Sequence, residues 1–338
     1  MESIHSAEDL LHLAREVLEG AGTPPASAAV VAESLVEANL RGHDSHGVRR
    51  LAPYLEYVRD GRLDPAAVPE VSRHRGASLI VDGHQGFGQV AARKAVEELA
   101  PVAREQGTGV AVIRRANHVG RIGEWVEALA DEQLVALAFC NAEPTVAPFG
   151  GRERRLGTNP LAWAAPRRDP APALVMDWST ATMAEGKLAV ARARGESVAE
   201  GVLVDAGGEP STDPSAFYDG GALLPFGAHK GSGLSVMIQL VGGTLGGTGV
   251  FGERGAGANG TVLLALDPSA FMDYEDFEDQ AEAFCAALTG TKPAAGFDAV
   301  LVPGEIERRT RARRAREGVP IPAATWSELG GLKGGAPA

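Results

Sequence analysis

Two kinds of apolar segment alternate along the middle of the chain, and this alternation constrains the fold more than any other feature. Short segments rich in valine, leucine and alanine have the length of buried strands, and turns separate them from segments with helical spacing. A chain of this kind builds a central sheet with helices on its faces. The predicted strands are residues 78–83, 109–115, 134–142, 174–179 and 261–268, and the predicted helices are 90–107, 124–132 and 229–243.

Both ends of the chain have a helical pattern instead. Residues 6–19 combine a capping Ser6, acidic residues in the first turn and an apolar stripe, and a second helix is predicted over about 27–42. Residues 275–320 return to helix. We therefore predict an α/β domain over 76–274 and a helical domain built from 1–75 together with 275–338.

Composition excludes several classes of function. The 338-residue chain has a net charge of −12, and its basic residues form no long one-sided run, so nucleic-acid binding is not predicted. Its two cysteines, Cys140 and Cys285, support neither a disulfide framework nor a cysteine metal site. The apolar segment 234–247 is short and interrupted by glycines, which argues against a membrane span, and the acidic start differs from a signal peptide. We expect a cytoplasmic protein without membrane contact.

The stretch RGHDSHGVRR, residues 41–50, concentrates titratable side chains at one bend. A helix beginning near Ser45 would place His46, Arg50 and Tyr54 four residues apart, on one stripe. That stripe would present an imidazole, a guanidinium and a phenol to a ligand, although a solvated loop is the simpler interpretation. His43 and His46 have an HxxH spacing, but zinc needs three or four ligands, and no metal site is predicted.

Three further segments carry groups suited to binding. NHVGRIG, 117–123, lies between a strand and a helix and offers Asn117, His118 and Gly120, although a capped surface turn has the same pattern. PFGAHKGSGL, 225–234, places His229 and Lys230 at a helix start, where a phosphate or only an exposed turn would be expected. MDWSTATMAEGK, 176–187, contains Asp177 and Lys187; an acid at a strand end binds a ribose or caps the next element.

The glycine-rich fingerprint of the usual dinucleotide-binding fold is missing. GHQGFGQV, 83–90, lies between a strand and a helix, but its glycines are spaced wrongly for GxGxxG. A dinucleotide, if one binds, must therefore be held by a different fold.

The order of the motifs resembles the type-2 malate/L-lactate dehydrogenase family, which includes sulfolactate and ureidoglycolate dehydrogenases and Δ1-piperideine-2-carboxylate reductases. RGHDSHGVRRL, VDGHQGFGQV, NHVGRIGEWVE, GTNPLAWAAP, VMDWSTATMAEGK, GAHKGSGLSVMIQL and PGEIERRTRARRAREGVPI follow in register over roughly residues 5–330. The resemblance implies a non-Rossmann NAD(P)-binding fold, with a mixed sheet flanked by helices, and a homodimer. It also implies that the α/β domain binds the cofactor and the helical domain the substrate.

Site residues follow from the same resemblance. Ser45 and His46 match the family's Ser-His pair, Arg50 its carboxylate-binding arginine, Tyr54 a substrate-contacting tyrosine and His118 an acid/base histidine. The expected cofactor contacts are Asn117, Gly120, Thr158, Asn159, Asp177, Trp178, Ser179, His229, Lys230, Pro303, Gly304 and Glu305. The chain departs from the family at Ser232, where an aromatic residue is common, and at Lys187, where the imine reductases tend to have aspartate.

The predicted reaction is hydride transfer between NAD or NADP and C2 of a small 2-hydroxy or 2-oxo acid of the malate, lactate or sulfolactate type. Arg50 would orient the carboxylate, Lys187 would stabilise charge on the C2 oxygen, and a histidine would move the proton. His118 is favoured for a hydroxy acid, whereas His46 is favoured for the alternative substrate, a cyclic imine carboxylate. A non-catalytic ligand-binding protein and a metal hydrolase are the competing hypotheses.

Overall fold

A seven-stranded mixed sheet forms the centre of the protein, in a computed structural model that describes residues 2–248 and 258–332. The strands predicted from the sequence are confirmed, and the sheet also contains two that were not predicted, β2 and β6. Its strands are β2 (Glu70–Arg75), β3 (Ser78–Asp82), β4 (Thr108–Asn117), β5 (Val135–Cys140), β6 (Leu161–Ala165), β7 (Leu174–Trp178) and β11 (Ala258–Leu266). The remaining strands are β1 (Glu2–His5), β8 (Leu203–Val204), β9 (Pro210–Ser211), β10 (Ala222–Leu223) and β12 (Val319–Pro322).

The order of the sheet is β2-β3-β4-β11-β5-β6-β7. Among these described strands, five of the six neighbouring pairs are antiparallel, and β3 and β4 form the parallel pair. β11 comes late in the chain but pairs between β4 and β5, with Leu263 opposite Ala111 on one side and Ala138 on the other. The predicted alternation of strands and helices therefore produces a mixed sheet.

Helices cover the sheet and build the terminal part of the molecule. Small alanines on α4 and on the strands let Trp125 and Leu99 pack into one core between helices and sheet. The helices are α1 (Ala7–Gly20), α2 (Pro25–Leu40), α3 (Leu51–Arg59), α4 (Gly88–Gln106), α5 (Gly123–Asp131), α6 (Glu185–Arg194), α7 (Ser215–Tyr218), α8 (His229–Ile238), α9 (Tyr274–Thr289), α10 (Glu305–Glu317) and α11 (Ala323–Gly331).

The two ends of the chain share a second core. The predicted first helix is confirmed, and Ser6 caps it through a reciprocal hydrogen-bond pair with Asp9. β1 pairs antiparallel with β12, so that Val319 and Ile321 join the apolar faces of α1, α2 and α3. The division into 1–75 with 275–338 and 76–274 remains a prediction, and residues 249–257 and 333–338 lie outside the described residues.

The helix predicted to begin near Ser45 is wrong in its first turns. Residues 44–46 and 48–50 form two 3₁₀ turns, and the regular helix begins only at Leu51. Gly47 separates the turns in an extended conformation, and a Cβ there would collide with the Asn39 side chain. The Asn39 Oδ1 accepts a hydrogen bond from the Val48 N–H at 2.8 Å, so a side chain replaces the helical partner of that amide. His46, Arg50 and Tyr54 therefore do not share one helical stripe.

Candidate active site

A cavity of about 390 Å³ lies where the bend before α3 meets the loops after β4 and β5 and the start of α6. The sequence-predicted Ser45, His46, Arg50 and His118 all line it. The other lining residues are Arg49, Pro53, Tyr57, Ala142, Glu143, Thr145, Arg154, Thr158, Ala184, Glu185, Gly186, Phe217 and Asn259. A depression of about 450 Å³ between α4 and α5 is larger, but its lining residues include no histidine, serine or tyrosine. The sequence-predicted Ser45, His46, Arg50 and His118 are therefore found together in the first cavity and not in the second.

Two histidines that line the cavity form a connected group with Tyr54, which is buried behind the wall and is not itself a lining residue. The Tyr54 hydroxyl lies 2.8 Å from His118 Nδ1, and the rings of His46 and His118 stack with their centroids 5.3 Å apart. The Ser45 hydroxyl lies 2.9 Å from His46 Nδ1. The predicted grouping of His46, Tyr54 and His118 therefore exists, and tertiary packing produces it because Tyr54 comes from α3 and His118 from the loop after β4.

Both imidazoles are held in the neutral form. Burial and the neighbouring positive charge of Arg50 lower the pKa of His46 to about 3. The same two causes, burial first and Arg50 second, hold the pKa of His118 well below its ordinary value. A neutral imidazole has one N–H donor and one acceptor nitrogen, so each histidine can exchange a proton without first losing one.

Arg50 supplies a cation beside these neutral groups. Its guanidinium lies 5.6 Å from the centre of the Tyr54 ring, and its buried Nε has no hydrogen-bond partner among the described residues. An unpaired buried guanidinium nitrogen is costly unless a ligand completes it. A carboxylate matches the geometry of such a group, because it can accept two parallel N–H bonds.

A brace behind the cavity fixes the bend that carries Ser45, His46 and Arg50. Asn39 donates from Nδ2 to Asp44 at 2.7 Å, and Arg314 of α10 bonds the same carboxylate with one nitrogen at 2.7 Å and the other at 3.0 Å. Arg314 also donates to the backbone carbonyl of Asn39. Helix α10 thus positions the bend that carries Ser45, His46 and Arg50 without entering the cavity.

The predicted cofactor residues near the cavity divide into lining and supporting positions. Thr158 lines the cavity, and its carbonyl accepts hydrogen bonds from Ser179 and Thr180 at 3.0 Å each. Asn159 is fully buried and connects the Ala142 amide to the Ser235 carbonyl, with both bonds at 3.0 Å. The segment after β7 is therefore tied directly to the cavity wall.

Asn117 and Gly120 shape the loop that carries His118. The Asn117 amide donates to the carbonyls of Gln85 and Arg62, at 2.8 and 3.1 Å. Gly120 has a φ of 77° and packs against Ser34 and Gln89, so the left-handed turn leaves no room for a Cβ. Neither residue is among those that line the cavity, and both fix its wall from behind.

Asp177 acts as a helix cap in this structure. Its carboxylate accepts a hydrogen bond from the Gly123 N–H at 2.8 Å, at the first residue of α5. Because α5 precedes β7 in the chain, Asp177 does not cap the next element as one sequence interpretation expected, and one oxygen of its carboxylate is occupied by protein backbone. The next residue, Trp178, is 41% exposed and contacts Phe226 edge-on.

The remaining predicted cofactor residues lie on exposed or edge positions. His229 and Lys230 are exposed at the N-terminus of α8, and the His229 ring lies edge-on to Phe149 at 5.8 Å. Gly304 has a φ of 84° and packs against the backbone of Val175 in β7, while Glu305 accepts from the Val302 amide at 3.3 Å. The Pro303 carbonyl accepts from the Val175 amide at 3.5 Å.

Lys187 is not brought to the cavity. It lies in the first turns of α6 with its side chain exposed, and its neighbours Glu185 and Gly186 line the cavity in its place. Sequence reasoning missed two lining residues, Arg154 and Asn259, and the Oδ1 of Asn259 accepts from the Val119 amide at 3.2 Å. It also missed Gln89, which bonds Tyr54 and was quoted only within a glycine-rich segment. Within the part of the chain that the structure describes, no cluster of three metal-ligating side chains is found.

Comparison with known proteins places this geometry in context. The family model for malate/L-lactate dehydrogenase matches residues 5–330. The chain is 34% identical over 320 residues to the L-sulfolactate dehydrogenase of Methanocaldococcus jannaschii, covering 93% of this chain and 92% of that protein. It is 36% identical to the L-lactate dehydrogenase of Cupriavidus necator, covering 94% and 93%. The solved structure of Δ1-piperideine-2-carboxylate reductase from Pseudomonas syringae superposes with a TM-score of 0.87 at 34% identity, covering 98% and 99%.

Proposed function

Since the chain belongs to the malate/L-lactate dehydrogenase family, we propose that it transfers a hydride between a nicotinamide cofactor and C2 of a small 2-hydroxy or 2-oxo acid. The observation that carries this proposal is the pairing of Arg50 with the neutral His118 on one cavity wall. Oxidoreductases of this class act on CH–OH groups, and their reaction needs a carboxylate anchor and a proton carrier near each other.

Arg50 binds and orients the acid. Two parallel N–H bonds to the carboxylate would fix the direction of C2 as well as neutralise the charge. The cavity volume of about 390 Å³ suits a small acid beside one end of a cofactor. The unpaired Nε of Arg50 supports this role, because substrate binding would complete its hydrogen bonding.

His118 handles the proton on the C2 oxygen. Oxidation of a hydroxy acid requires the hydroxyl proton to leave as the hydride leaves C2, and a neutral imidazole can accept it. Tyr54, 2.8 Å from Nδ1, holds the ring so that the other nitrogen, Nε2, is available on the cavity side. Ser45 and His46 complete the same wall, where His46 contributes a second neutral imidazole. Lys187 would need a rearrangement of α6 to reach the C2 oxygen.

The residues around the end of β7 and the start of α8 fit a dinucleotide. An exposed indole at Trp178 offers a stacking surface, and a cation at Lys230 near the N-terminus of α8 offers an anion-binding group. When bound, a nicotinamide would supply or accept the hydride. The mainly antiparallel sheet supports a cofactor-binding fold other than the parallel Rossmann type. Thr158, Asn159, Ser179 and the 303–305 segment would shape this region, and either NAD or NADP is compatible with it.

A cyclic imine carboxylate is the second candidate substrate. The similarity to the piperideine-2-carboxylate reductase structure favours it, because both reactions need a carboxylate anchor and a proton donor near C2. In that case His46, on the other side of the stacked pair, would be the proton carrier. A substrate panel separates the two candidates.

The experiment is a panel of 2-oxo acids and cyclic imine carboxylates, each with NADH and with NADPH, followed by the loss of reduced-cofactor absorbance. We expect turnover with at least one 2-oxo acid. Binding of NAD(P)H without turnover of any compound would instead support a non-catalytic binding protein, and turnover that chelators leave unchanged would count against a metal hydrolase.

We further propose that the protein is a cytoplasmic homodimer. Two free, buried cysteines are consistent with a reducing compartment, and exposed apolar side chains along α8 and the turn after it are consistent with a subunit contact. These side chains are Val236, Met237, Leu240 and Leu245. Among the described residues, no helix has both the length and the apolar character needed to cross a bilayer. Light scattering after size-exclusion chromatography tests the dimer.

A further inference from the structure

Gln89 is a buried polar residue that the proposed chemistry has not used. It lies in the first turn of α4, is fully buried, and donates from Nε2 to the Tyr54 hydroxyl oxygen at 2.8 Å. Its Oε1 is buried without a hydrogen-bond partner among the described residues. A buried side-chain amide whose nitrogen is hydrogen-bonded and whose oxygen is not lowers stability, so its presence calls for a functional explanation.

The backbone N–H of Gly120 sets the direction of the hydrogen bonds around His118, because a backbone N–H cannot act as an acceptor. The Gly120 backbone N–H points at His118 Nδ1, with the nitrogens 3.3 Å apart. A backbone N–H can only donate, so Nδ1 must carry a lone pair. The Tyr54 hydroxyl, which bonds the same Nδ1, must then be the donor of its pair.

The oxygen of Tyr54 is correspondingly the acceptor on its other side. Gln89 donates to it through Nε2. With its oxygen occupied by this donor, Tyr54 directs its own proton toward His118. The hydrogen bonds from Gln89 to Tyr54 and from Tyr54 to His118 therefore all donate in the same direction.

We propose that Gln89 is a positioning residue whose amide can donate to or accept from Tyr54, and which in the present orientation supports the tautomer of His118 that the Gly120 amide selects, the one protonated at Nε2. The consequence for catalysis rests on the proposed function. In this tautomer Nε2–H can donate a hydrogen bond to the carbonyl oxygen of a 2-oxo acid, where negative charge develops as a hydride adds to C2. Without substrate, His118 is therefore already in the tautomer that can donate to the carbonyl oxygen of a 2-oxo acid.

The same amide permits the opposite setting. To accept a hydroxyl proton at Nε2, His118 must first carry its proton at Nδ1, so Tyr54 must donate to residue 89 instead. If the Gln89 amide turns by 180°, its free Oε1 faces Tyr54 and can accept a hydrogen bond from the Tyr54 hydroxyl. The cost is the bond from Gly120, the longest of the three at 3.3 Å. Neither a methionine nor a carboxylate could serve both settings.

The test is ¹⁵N NMR of protein labelled in its histidines, which reports which ring nitrogen carries hydrogen. The protein has eight histidines, so the His118 signal is assigned by its absence from a His118→Asn variant. We expect Nε2–H in the wild type. A wild-type His118 protonated at Nδ1 overturns the proposal without any further variant.

Two substitutions at residue 89 separate polarity from packing. In Gln89→Glu, once the new carboxyl is ionised as followed by its ¹³C resonance, residue 89 can only accept, so His118 should change to Nδ1–H. Gln89→Met should keep Nε2–H, because Tyr54 still has only His118 to donate to. An ionised Gln89→Glu variant in which His118 stays protonated at Nε2 contradicts the proposal.

Kinetics supply a second readout. Gln89→Glu should lose about tenfold or more in kcat for reduction of the oxo acid. Gln89→Met, which keeps Nε2–H but cannot accept the Tyr54 proton, should lose about tenfold or more in kcat for oxidation of the hydroxy acid. KM for either acid should stay within about twofold because Arg50 is unchanged. Gln133→Glu, an equivalent change at an exposed residue after α5, should alter neither. Equal losses in kcat and gains in KM would indicate a merely structural role. If the wild type reduces no acid at all, the proposed function fails, while the NMR result still decides the tautomer.

Discussion

Removing the Arg50 guanidinium tests the assignment of the substrate anchor. In Arg50→Met the side chain keeps a similar length but loses its charge and its donors. Hydrogen bonds to charged groups contribute about 1.5–3 kcal/mol each, and the proposed carboxylate pair has two. Allowing for partial replacement by water, we expect a loss of about 3–4 kcal/mol in transition-state binding, which is about 10²–10³-fold in kcat/KM at about 1.4 kcal/mol per tenfold.

The same variant should change the protonation of the histidines. Arg50 is the second cause, after burial, of the low pKa of both His46 and His118, so its removal should raise both pKa values. Arg50→Lys keeps a positive charge without the two-point geometry, and should therefore restore the low pKa values more fully than it restores kcat/KM.

Steady-state kinetics with a 2-oxo acid, run at several pH values, measure both effects. NAD(P)H binding and thermal unfolding confirm that each variant is folded, and Arg59→Met on the exposed face of α3 is the control for loss of a cation. An Arg50→Met enzyme with kcat/KM within about threefold of the wild type would refute the carboxylate assignment.

Three other changes give independent checks. His118→Asn should reduce kcat by about 10²–10⁴-fold while cofactor fluorescence still reports binding, and near-normal turnover would exclude His118 as the proton carrier. The folded state keeps His46 neutral down to about pH 3 whereas the unfolded chain takes up a proton below about 6.5, so stability should fall as pH drops between these values. The free energy of unfolding, measured with urea at several pH values, should fall with decreasing pH less steeply in His46→Asn than in the wild type, by about 1 kcal/mol per pH unit. Equal pH dependence in the two proteins would contradict the assignment of a neutral His46. Ser6→Ala should cost about 1 kcal/mol of unfolding free energy through loss of the α1 cap, with unchanged kcat.

The sequence predicted the layers of the fold but not the pairing of its strands. Strand length, apolar content and turns located β3, β4, β5, β7 and β11, because these depend on neighbouring residues. The insertion of β11 between β4 and β5 depends on contacts between residues more than a hundred positions apart, which no local pattern records. β2 was missed because its residues are mostly polar, as suits an edge strand.

Within the site, residue types were easier to predict than geometry. His46, Arg50 and Tyr54 were identified together, but the helix that was meant to align them is interrupted at Gly47, where Asn39 competes for the backbone amide. Lys187 was selected by its position in a motif, and local spacing could not show that its side chain would be exposed. Gln89 was passed over because its importance depends on Tyr54 and His118, which meet it only in the folded protein.

The most direct test of the account follows the hydride itself. The protein is incubated with a 2-oxo acid and NADH or NADPH that carries deuterium at both C4 positions of the nicotinamide, and the product is analysed by mass spectrometry and NMR. We predict a 2-hydroxy acid with one deuterium at C2, formed by the wild type and about 10²–10⁴-fold more slowly by His118→Asn. A product without deuterium at C2, or no reduction of any 2-oxo acid with either cofactor, would contradict it.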